Sequence, residues 1–371
     1  MSRDPVLRRA AISWARQGEL TPQRLWPVLR ARGGVEALLA SSEEELSERL
    51  GSGERARAVL RSAEDVSSEK WATQLERAGV RVVTAFDEEY PDPLAEISDP
   101  PFLLFAAGNL QRLRLPAVGI VGSRAATRYG RDVAARLARE LAAAGITVVS
   151  GFARGVDESA HLAAVGTAGG TIAVLGCGLD VDYPREHSAL KEAMLARDLL
   201  VSEFPPGTEP KPVNFPVRNR IIAGLCAGVV VVEASRRSGS LITARLANEF
   251  GRDVFAVPGS VFSQTSIGTH ELLRDGAILC RGAEDVLAEL FPTIGTAPAG
   301  KAAAPASAVS TLSEEARRVW ETLRKEEDAS AEDLAQGTEL PAATVLAALF
   351  ELEEAGLAVL GEGGRYGARR N

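Results

Sequence analysis

Residues 117–124 read AVGIVGSR, an apolar run that ends in the turn Gly122-Ser123-Arg124. Five further apolar runs follow along the chain, with helical stretches between them. Continuous runs of Val, Ile and Leu are typical of strands buried on both faces, and helical crossovers join parallel strands. The sequence therefore predicts an α/β fold with a doubly wound parallel sheet. The predicted strands are Val118–Val121, Thr147–Ser150, Thr171–Leu175, Leu199–Ser202, Val229–Glu233 and Val254–Val257.

The chain has 371 residues, enough for two or three domains. Residues 292–312 consist mainly of Ala, Pro, Gly, Ser and Thr, which cannot form a packed face and predict a flexible linker. Before the sheet, helical periodicity broken by glycines predicts a small helical domain of the SAM or helix-hairpin-helix kind, for which a packing role is favoured over contact with a DNA backbone. The predicted division is a helical domain at 1–70, the sheet domain at 71–291, the linker at 292–312 and a last domain at 313–371.

The last domain is predicted to have three helices and then a glycine-tipped hairpin, which is the order of a winged helix. A winged helix that reads duplex DNA carries basic side chains on its third helix. Here the third helix, residues 342–355, contains Glu351, Glu353 and Glu354 and neither Lys nor Arg. Residues 313–371 contain 7 basic and 13 acidic side chains. We therefore expect this domain to contact protein rather than duplex DNA.

Composition limits the classes of protein further. Hydrophobic residues make up 46 % and charged residues 25 % of the chain, which is typical of a soluble globular protein. No apolar run reaches the roughly 18 residues of a membrane span, and Met1–Gln17 is too rich in arginine for a signal peptide. The three cysteines, Cys177, Cys226 and Cys280, show no metal-ligand spacing and fit a reducing compartment. We expect a cytoplasmic protein without a metal or a cofactor.

Glycine, serine and arginine recur where the predicted strands end. Gly122-Ser123-Arg124 follows the first strand, and Arg154-Gly155 follows the second. Ligands of open parallel sheets bind beyond these carboxyl ends, where glycine permits close approach, helix N-termini offer N–H groups and arginine binds phosphate through two nitrogens. The first spacing is Gly-x-x-Gly rather than G-x-G-x-x-G, and the second strand ends at Ser150 without an acidic residue for a ribose. Both features disfavour a nicotinamide enzyme.

Two further clusters lie at Phe215–Arg220, with Lys211 just before it, and at Arg236–Ser240. In an extended entry to the following helix Arg218 and Arg220 would line one groove, whereas on a helix they would diverge. Several anion sites along one sheet edge suit an extended polyanion better than one mononucleotide. Phe215 and Phe152 are the candidates for stacking on bases. The clusters together predict a groove for single-stranded nucleic acid.

At these residues the sequence resembles the DNA-processing protein A family, DprA, also called Smf. The resemblance covers about residues 80 to 290 and implies an extended Rossmann-like domain. It also implies a non-enzymatic, homodimeric protein of natural transformation and recombination that protects incoming single-stranded DNA, loads the RecA recombinase and displaces single-strand-binding protein. Five ordered motifs carry it: GIVGSRAATRYG, SGFARGVDESAH, AVLGCGLDVDYP, FPVRNRIIAGL and VVVEASRRSGSLITARLANEFGRDVFAVPG.

The resemblance also implies roles for individual residues. The predicted phosphate contacts are Gly122, Ser123, Arg124, Arg154 and Gly155. Phe215 is added to them as a stacking side chain. The predicted basic pocket is lined by Lys211, Arg218, Asn219 and Arg220 and closed by Ser238, Gly239 and Ser240.

Two alternatives use the same residues differently. The first is a nucleotide-binding Rossmann enzyme, such as a nucleotide phosphoribohydrolase, with Glu233 as its catalytic carboxylate. Against it, no hydrolytic machinery is evident: His161 follows Glu158 by three residues, His187 and His270 are isolated in sequence, and no pair of carboxylates has the spacing of a metal-dependent nuclease. The second is a protein-binding adaptor, which would leave Arg124, Arg218 and Arg220 without a purpose.

Overall fold

A computed structural model describes residues 5–16, 20–293, 312–325, 328–355, 357–361 and 365–368. The chain divides into two compact units, Met1–Thr296 and Ala297–Asn371. Most of the predicted linker, residues 294–311, lies outside the described residues, as does the predicted hairpin tip at 362–364. None of the helices in the described part of the chain has the length and apolar character that a membrane crossing requires.

The first unit is built on a nine-stranded sheet of order β1-β2-β6-β5-β4-β3-β7-β8-β9. Strands β3 to β9 run parallel to one another, whereas β1 and β2 are antiparallel additions beside β6. The predicted doubly wound α/β fold is therefore confirmed. The strands are β1 (Arg81–Thr84), β2 (Leu103–Gly108), β3 (Ala117–Val121), β4 (Thr147–Ser150), β5 (Thr171–Leu175), β6 (Leu199–Ser202), β7 (Gly228–Val231), β8 (Asp253–Ala256) and β9 (Ile278–Leu279).

Helices cover both faces of this sheet. In β4 the side chain of Val149 joins one hydrophobic cluster, which includes Ile222, while its neighbour Val148 joins the opposite one, which includes Leu137. This alternation explains why the strands are apolar along their whole length. Six helices precede the sheet: α1 (Pro5–Arg16), α2 (Pro22–Arg32), α3 (Val35–Leu39), α4 (Glu43–Leu50), α5 (Gly53–Arg61) and α6 (Val66–Arg77). Eight follow: α7 (Asp92–Ala95), α8 (Arg128–Ala143), α9 (Val156–Ala164), α10 (Ser188–Arg197), α11 (Asn214–Leu225), α12 (Gly239–Glu249), α13 (Ile267–Arg274) and α14 (Ala283–Leu290).

The N-terminal helices pack directly on the antiparallel edge of the sheet. Trp14 of α1 is fully buried and makes an edge-to-face contact with Phe102, with ring centroids 5.2 Å apart. The guanidinium of Arg8 donates to the carbonyl of Val82 at 3.1 Å and pairs with Asp87 at 2.8 Å. The N-terminal helices and the sheet therefore belong to one compact unit.

The buried carboxylate of Asp198 links three segments of the chain. Asp198 is completely buried between α10 and β6 and lies 3.0 Å from Nε of Arg112. Its other contacts are the backbone N–H groups of Gly166 at 2.7 Å and Thr171 at 3.0 Å. Arg112 in turn donates to the carbonyl of Ala168 at 2.6 Å. Charge and backbone donors thus satisfy one another in the absence of water.

The change Asp198→Ala is expected to lower the free energy of unfolding by about 3–5 kcal/mol, because it leaves the buried Arg112 charge without its counter-charge and two buried N–H groups without their acceptor. Urea denaturation followed by circular dichroism measures this loss. Asp182→Ala is the control, since that exposed carboxylate pairs with Lys191 at 2.7 Å and should contribute less than about 1 kcal/mol. Equal losses of stability in the two variants would contradict the role of Asp198 as the partner of Arg112 and of the two backbone N–H groups.

The second unit has a core of its own around Trp320, Leu323 and Leu349. Ser313 caps its first helix by accepting a hydrogen bond from the N–H of Ala316 at 3.2 Å. The order of elements is that of a winged helix, and this assignment stays a prediction. The elements are α15 (Glu314–Leu323), β10 (Ala329–Ser330), α16 (Ala331–Thr338), α17 (Ala342–Glu354), β11 (Ala358–Leu360) and β12 (Arg365–Ala368), with the strands in the order β10-β12-β11.

Candidate functional site

An open groove of about 570 Å³ lies at the carboxyl edge of the parallel strands, where β3, β4 and β7 end. Because these ends meet at one sheet edge, loops that are far apart in sequence line the same space. A smaller pocket of about 50 Å³ adjoins it and shares Arg124 and Phe215 with it. The predicted residues that line the groove are Gly122, Ser123, Arg124, Phe215, Arg218, Asn219, Ser238, Gly239 and Ser240.

Arg218 places a positive charge in the floor of the groove. The side chain is only 3 % exposed, and Nη1 donates a hydrogen bond to the carbonyl of Val174. Burial lowers the pKa of Arg218 to about 10, so the guanidinium remains protonated at neutral pH. A Cβ on Gly151 would lie 2.5 Å from Nη1, so only glycine at that position leaves room for the guanidinium.

The loop after β4 is shaped around a second buried charge. Asp157 accepts hydrogen bonds from the N–H groups of Gly151 at 3.1 Å and Ala153 at 3.2 Å. Its burial raises the pKa of the carboxyl, while the charge of Arg218 acts in the opposite direction. Gly155 ends the loop at a φ of 79°, in the left-handed region that favours glycine. The loop thereby brings Arg154 to the rim of the small pocket.

Aromatic and guanidinium groups stack where the two cavities meet. The guanidinium of Arg124 lies 5.2 Å from the ring centroid of Phe215. The ring centroids of Tyr183 and Phe215 are 5.6 Å apart, and the two ring planes are tilted by 42°. Gly176 makes this approach possible, because a Cβ there would lie 2.9 Å from Cδ1 of Phe215. Arg124 and Tyr183 are both exposed, so planar groups are presented to solvent beside a fixed cation.

The start of α12 forms the opposite wall of the groove. Ser238 is its N-cap and accepts from the N–H of Ser240 at 3.4 Å, and the two hydroxyls lie 2.7 Å apart. Asn219 of α11 reaches across and donates to the carbonyl of Gly239 at 3.4 Å. Hydroxyl groups and free N–H groups at a helix N-terminus are suited to an anion.

Arg220 does not line the groove, contrary to the predicted arrangement. Its guanidinium points the other way and pairs with Asp99 at 3.1 Å and Glu203 at 2.7 Å. The reason is that α11 begins at Asn214, so Arg218 and Arg220 both lie on the helix and not in an extended entry to it. Side chains two positions apart on a helix point in different directions.

Three other predicted residues lie at the margins of the groove or away from it. Lys211 is exposed between Pro210 and Pro212, which do line the groove. Arg154 is exposed and pairs with Glu186, and a surface ion pair of this kind contributes little to stability. Phe152 borders the small pocket, but its ring is only 3 % exposed and packs edge-on against His187 at 5.2 Å, so it belongs mainly to the core.

The carboxylate of Glu233 is engaged in structural hydrogen bonds. It is 3 % exposed and accepts from the N–H of Thr127 at 2.9 Å, from the hydroxyl of Thr127 at 2.6 Å and from that of Thr265 at 3.2 Å. These bonds hold it at the start of α8, outside the residues that line the groove. This placement disfavours the enzyme alternative. Within the described ranges, no three His, Cys, Asp or Glu residues are grouped so as to hold a metal ion.

Tyr183 is the residue that the sequence reasoning missed. Its signal was present, because the motif AVLGCGLDVDYP places an aromatic residue in the segment after β5. The structure brings that segment beside Phe215 of α11, a contact between residues more than thirty positions apart in sequence. Local pattern does not report such a pairing.

His161 lies beneath the loop after β4 and predicts a dependence of stability on pH. It is completely buried, its Nδ1 is 2.7 Å from the hydroxyl of Thr171, and burial lowers its pKa to about 3. Below pH 6.5 the unfolded chain binds a proton at this histidine that the folded chain does not. The folded state should therefore lose about 1 kcal/mol between pH 6.5 and 5.5 from this residue.

Urea denaturation at these two pH values checks this expectation by comparing the natural chain with His161→Gln. The variant should lose less stability than the natural chain over the interval, whatever its stability at pH 6.5. Parallel losses in the two proteins would show that His161 takes up its proton in the folded state as well.

Known proteins are similar to this chain in sequence and in structure. The sequence profile of the family described as DNA recombination-mediator protein A matches residues 81–291. The DNA processing protein DprA of Streptococcus pneumoniae is 49 % identical over 203 residues, which cover 55 % of this chain and 72 % of that protein. A putative DNA processing protein DprA of Mycobacterium tuberculosis H37Rv is 38 % identical over 377 residues, covering 97 % of this chain and 94 % of that one.

Solved structures agree with the sequence comparison. The X-ray structure of DprA from Streptococcus pneumoniae matches with a TM-score of 0.64 at 37 % identity and covers 78 % of this chain and 99 % of that one. DNA processing protein A from Helicobacter pylori matches with a TM-score of 0.52 at 32 % identity, covering 57 % of this chain and 96 % of that one. The chain belongs to the DNA recombination-mediator protein A family.

Proposed function

We propose that this chain binds single-stranded DNA in the groove at the carboxyl edge of the sheet, without cleaving it. The observation that carries the proposal is the arrangement around Phe215, where a buried cation, an exposed arginine and a second aromatic ring face one open space. Single strands are held by positive grooves that follow the backbone and by aromatic side chains that stack on bases.

The relatives support this choice of ligand. The Helicobacter pylori structure is described as showing the single-stranded DNA binding mode of that protein. The groove residues of this chain lie within the segment that the family profile matches. We propose the predicted set as DNA contacts with the exception of Arg220, and with Lys211, Arg154 and Gly155 at the margins.

The length of the ligand separates this proposal from the enzyme alternative. Fluorescence anisotropy with dT oligomers of increasing length, at two salt concentrations, should show affinity that rises with length and falls with salt. A matched duplex should bind more weakly, because its bases are not free to stack. Saturation of the site by a mononucleotide, or an affinity that ignores length, would support a nucleotide enzyme instead.

Arg124→Gln is expected to weaken binding of dT oligomers and to reduce the slope of log affinity against log salt by about 0.7, because one phosphate contact is lost. Arg124 is preferred to Arg218 for this test because it is exposed, so its replacement leaves the core intact. Anisotropy titrations at several salt concentrations give the slope.

Two further variants complete that measurement. Phe215→Leu should lower affinity by about 1–3 kcal/mol at every salt concentration with the slope unchanged, because it removes stacking and no charge. Arg245→Gln removes an exposed arginine on α12 that pairs with Glu249 and should change neither quantity. An unchanged slope in Arg124→Gln, or an equal loss in Arg245→Gln, would overturn the assignment of the groove.

We further propose that the bound strand is handed to RecA during natural transformation or recombination, that single-strand-binding protein is displaced, and that the protein works in the cytoplasm as a homodimer. These steps rest on the family resemblance of the five motifs. The test is the lag before RecA hydrolyses ATP on DNA coated with single-strand-binding protein. The chain should shorten this lag and Arg124→Gln should not, whereas an unchanged lag would contradict loading.

A further inference from the structure

The outer face of α17 carries a row of apolar side chains, which we call the α17 stripe. Leu346 is 51 % exposed and Phe350 is 61 % exposed, four positions apart on one side of the helix. The opposite side of the same helix is fully used in the core of the second unit, where Val345 and Leu349 are completely buried. The residues of the α17 stripe are Ala343, Leu346, Ala347 and Phe350.

The solvent face of a helix in a globular domain is ordinarily polar, and exposed apolar side chains that lie together on one helix face are typical of a docking surface. Leu346 and Phe350 are the only exposed large apolar side chains among the described residues of the second unit. Both lie on this one face, at the spacing with which a helix meets a partner.

The charges around the stripe select the kind of partner. Helix α17 contains no Lys or Arg, Glu353 follows Phe350 on the same face, and Glu339 is exposed just before the helix. The C-terminal end of a helix adds partial negative charge of its own. This field repels the phosphates of nucleic acid, and it also repels the same acidic face of a second copy.

We propose that the α17 stripe docks a basic amphipathic helix of a partner protein. Apolar side chains of that helix would cover Leu346 and Phe350, and a flanking Lys or Arg side chain would face Glu339. Helix recognition of this kind uses apolar anchors at i and i+4, with complementary charge setting the choice of partner. The proposal does not depend on single-stranded DNA binding.

The test uses the full chain and a fluorescein-labelled model helix of leucine and lysine, about 14 residues long, with the leucines on one face. Anisotropy should show binding that weakens as salt is added. Leu346→Gln and Phe350→Gln should each weaken it about tenfold or more, because each removes an anchor at the centre of the contact. A leucine–glutamate helix with the same apolar face should not bind.

Matched controls make each outcome decisive. Leu162→Gln removes a 57 %-exposed leucine from α9 of the first unit and should leave binding of the basic helix unchanged. The two stripe variants should keep the affinity for dT oligomers, which separates this proposal from the DNA site. Equal binding of the two model helices, absence of binding, or unchanged binding in both variants would overturn the proposal. Light scattering that shows a larger assembly in the natural chain than in the variants would assign the stripe to a second copy instead.

Discussion

The carboxyl edge of the sheet depends on the interactions that compensate the buried guanidinium of Arg218. A charge without water is unfavourable unless nearby groups compensate it, and here the carbonyl of Val174 and the carboxylate of Asp157 do so. Asp157 in turn orders the loop after β4 through two backbone N–H groups. The cation under Phe215 and the shape of the loop beside it are therefore parts of one network, which gives the groove a fixed positive floor.

The parallel part of the fold could be predicted because its strands are buried on both faces. Runs such as Thr171–Leu175 are apolar at every position, and that pattern survives without knowledge of the neighbours. Strands β1, β2 and β9 were missed. The pair β1 and β2 forms an antiparallel edge, and β9 has two residues, Ile278 and Leu279, which are too few for a periodic signal. Their pairing depends on contacts that only the assembled sheet provides.

The sequence predicts which loops form the candidate site, but not the directions in which their side chains point. Glycine, serine and arginine at the strand ends indicated where a ligand would lie, because the topology brings those ends together. The start of α11 determines these directions, because a proline at the third position of a helix requires no N–H partner and α11 therefore begins at Asn214, before Phe215-Pro216. On this helix Arg220 points away from the groove and pairs with Asp99. The contact of Tyr183 with Phe215 joins segments that are distant in sequence, so only the structure reveals it.

The N-terminal helices pack against the segment that the family profile matches. The family profile begins at residue 81, yet Trp14 of α1 packs on Phe102, and Gln23 of α2 donates to Asp99 at 2.6 Å. Asp99 also holds Arg220, one turn along the helix that carries Phe215 and Asn219. The segment that the family profile matches is thus smaller than the compact unit to which it belongs. A fragment cut at the profile boundary would expose the ring of Phe102 and lose the hydrogen bond from Gln23 to Asp99, so the side chain that orients Arg220 on α11 would itself be less firmly held than in the whole protein.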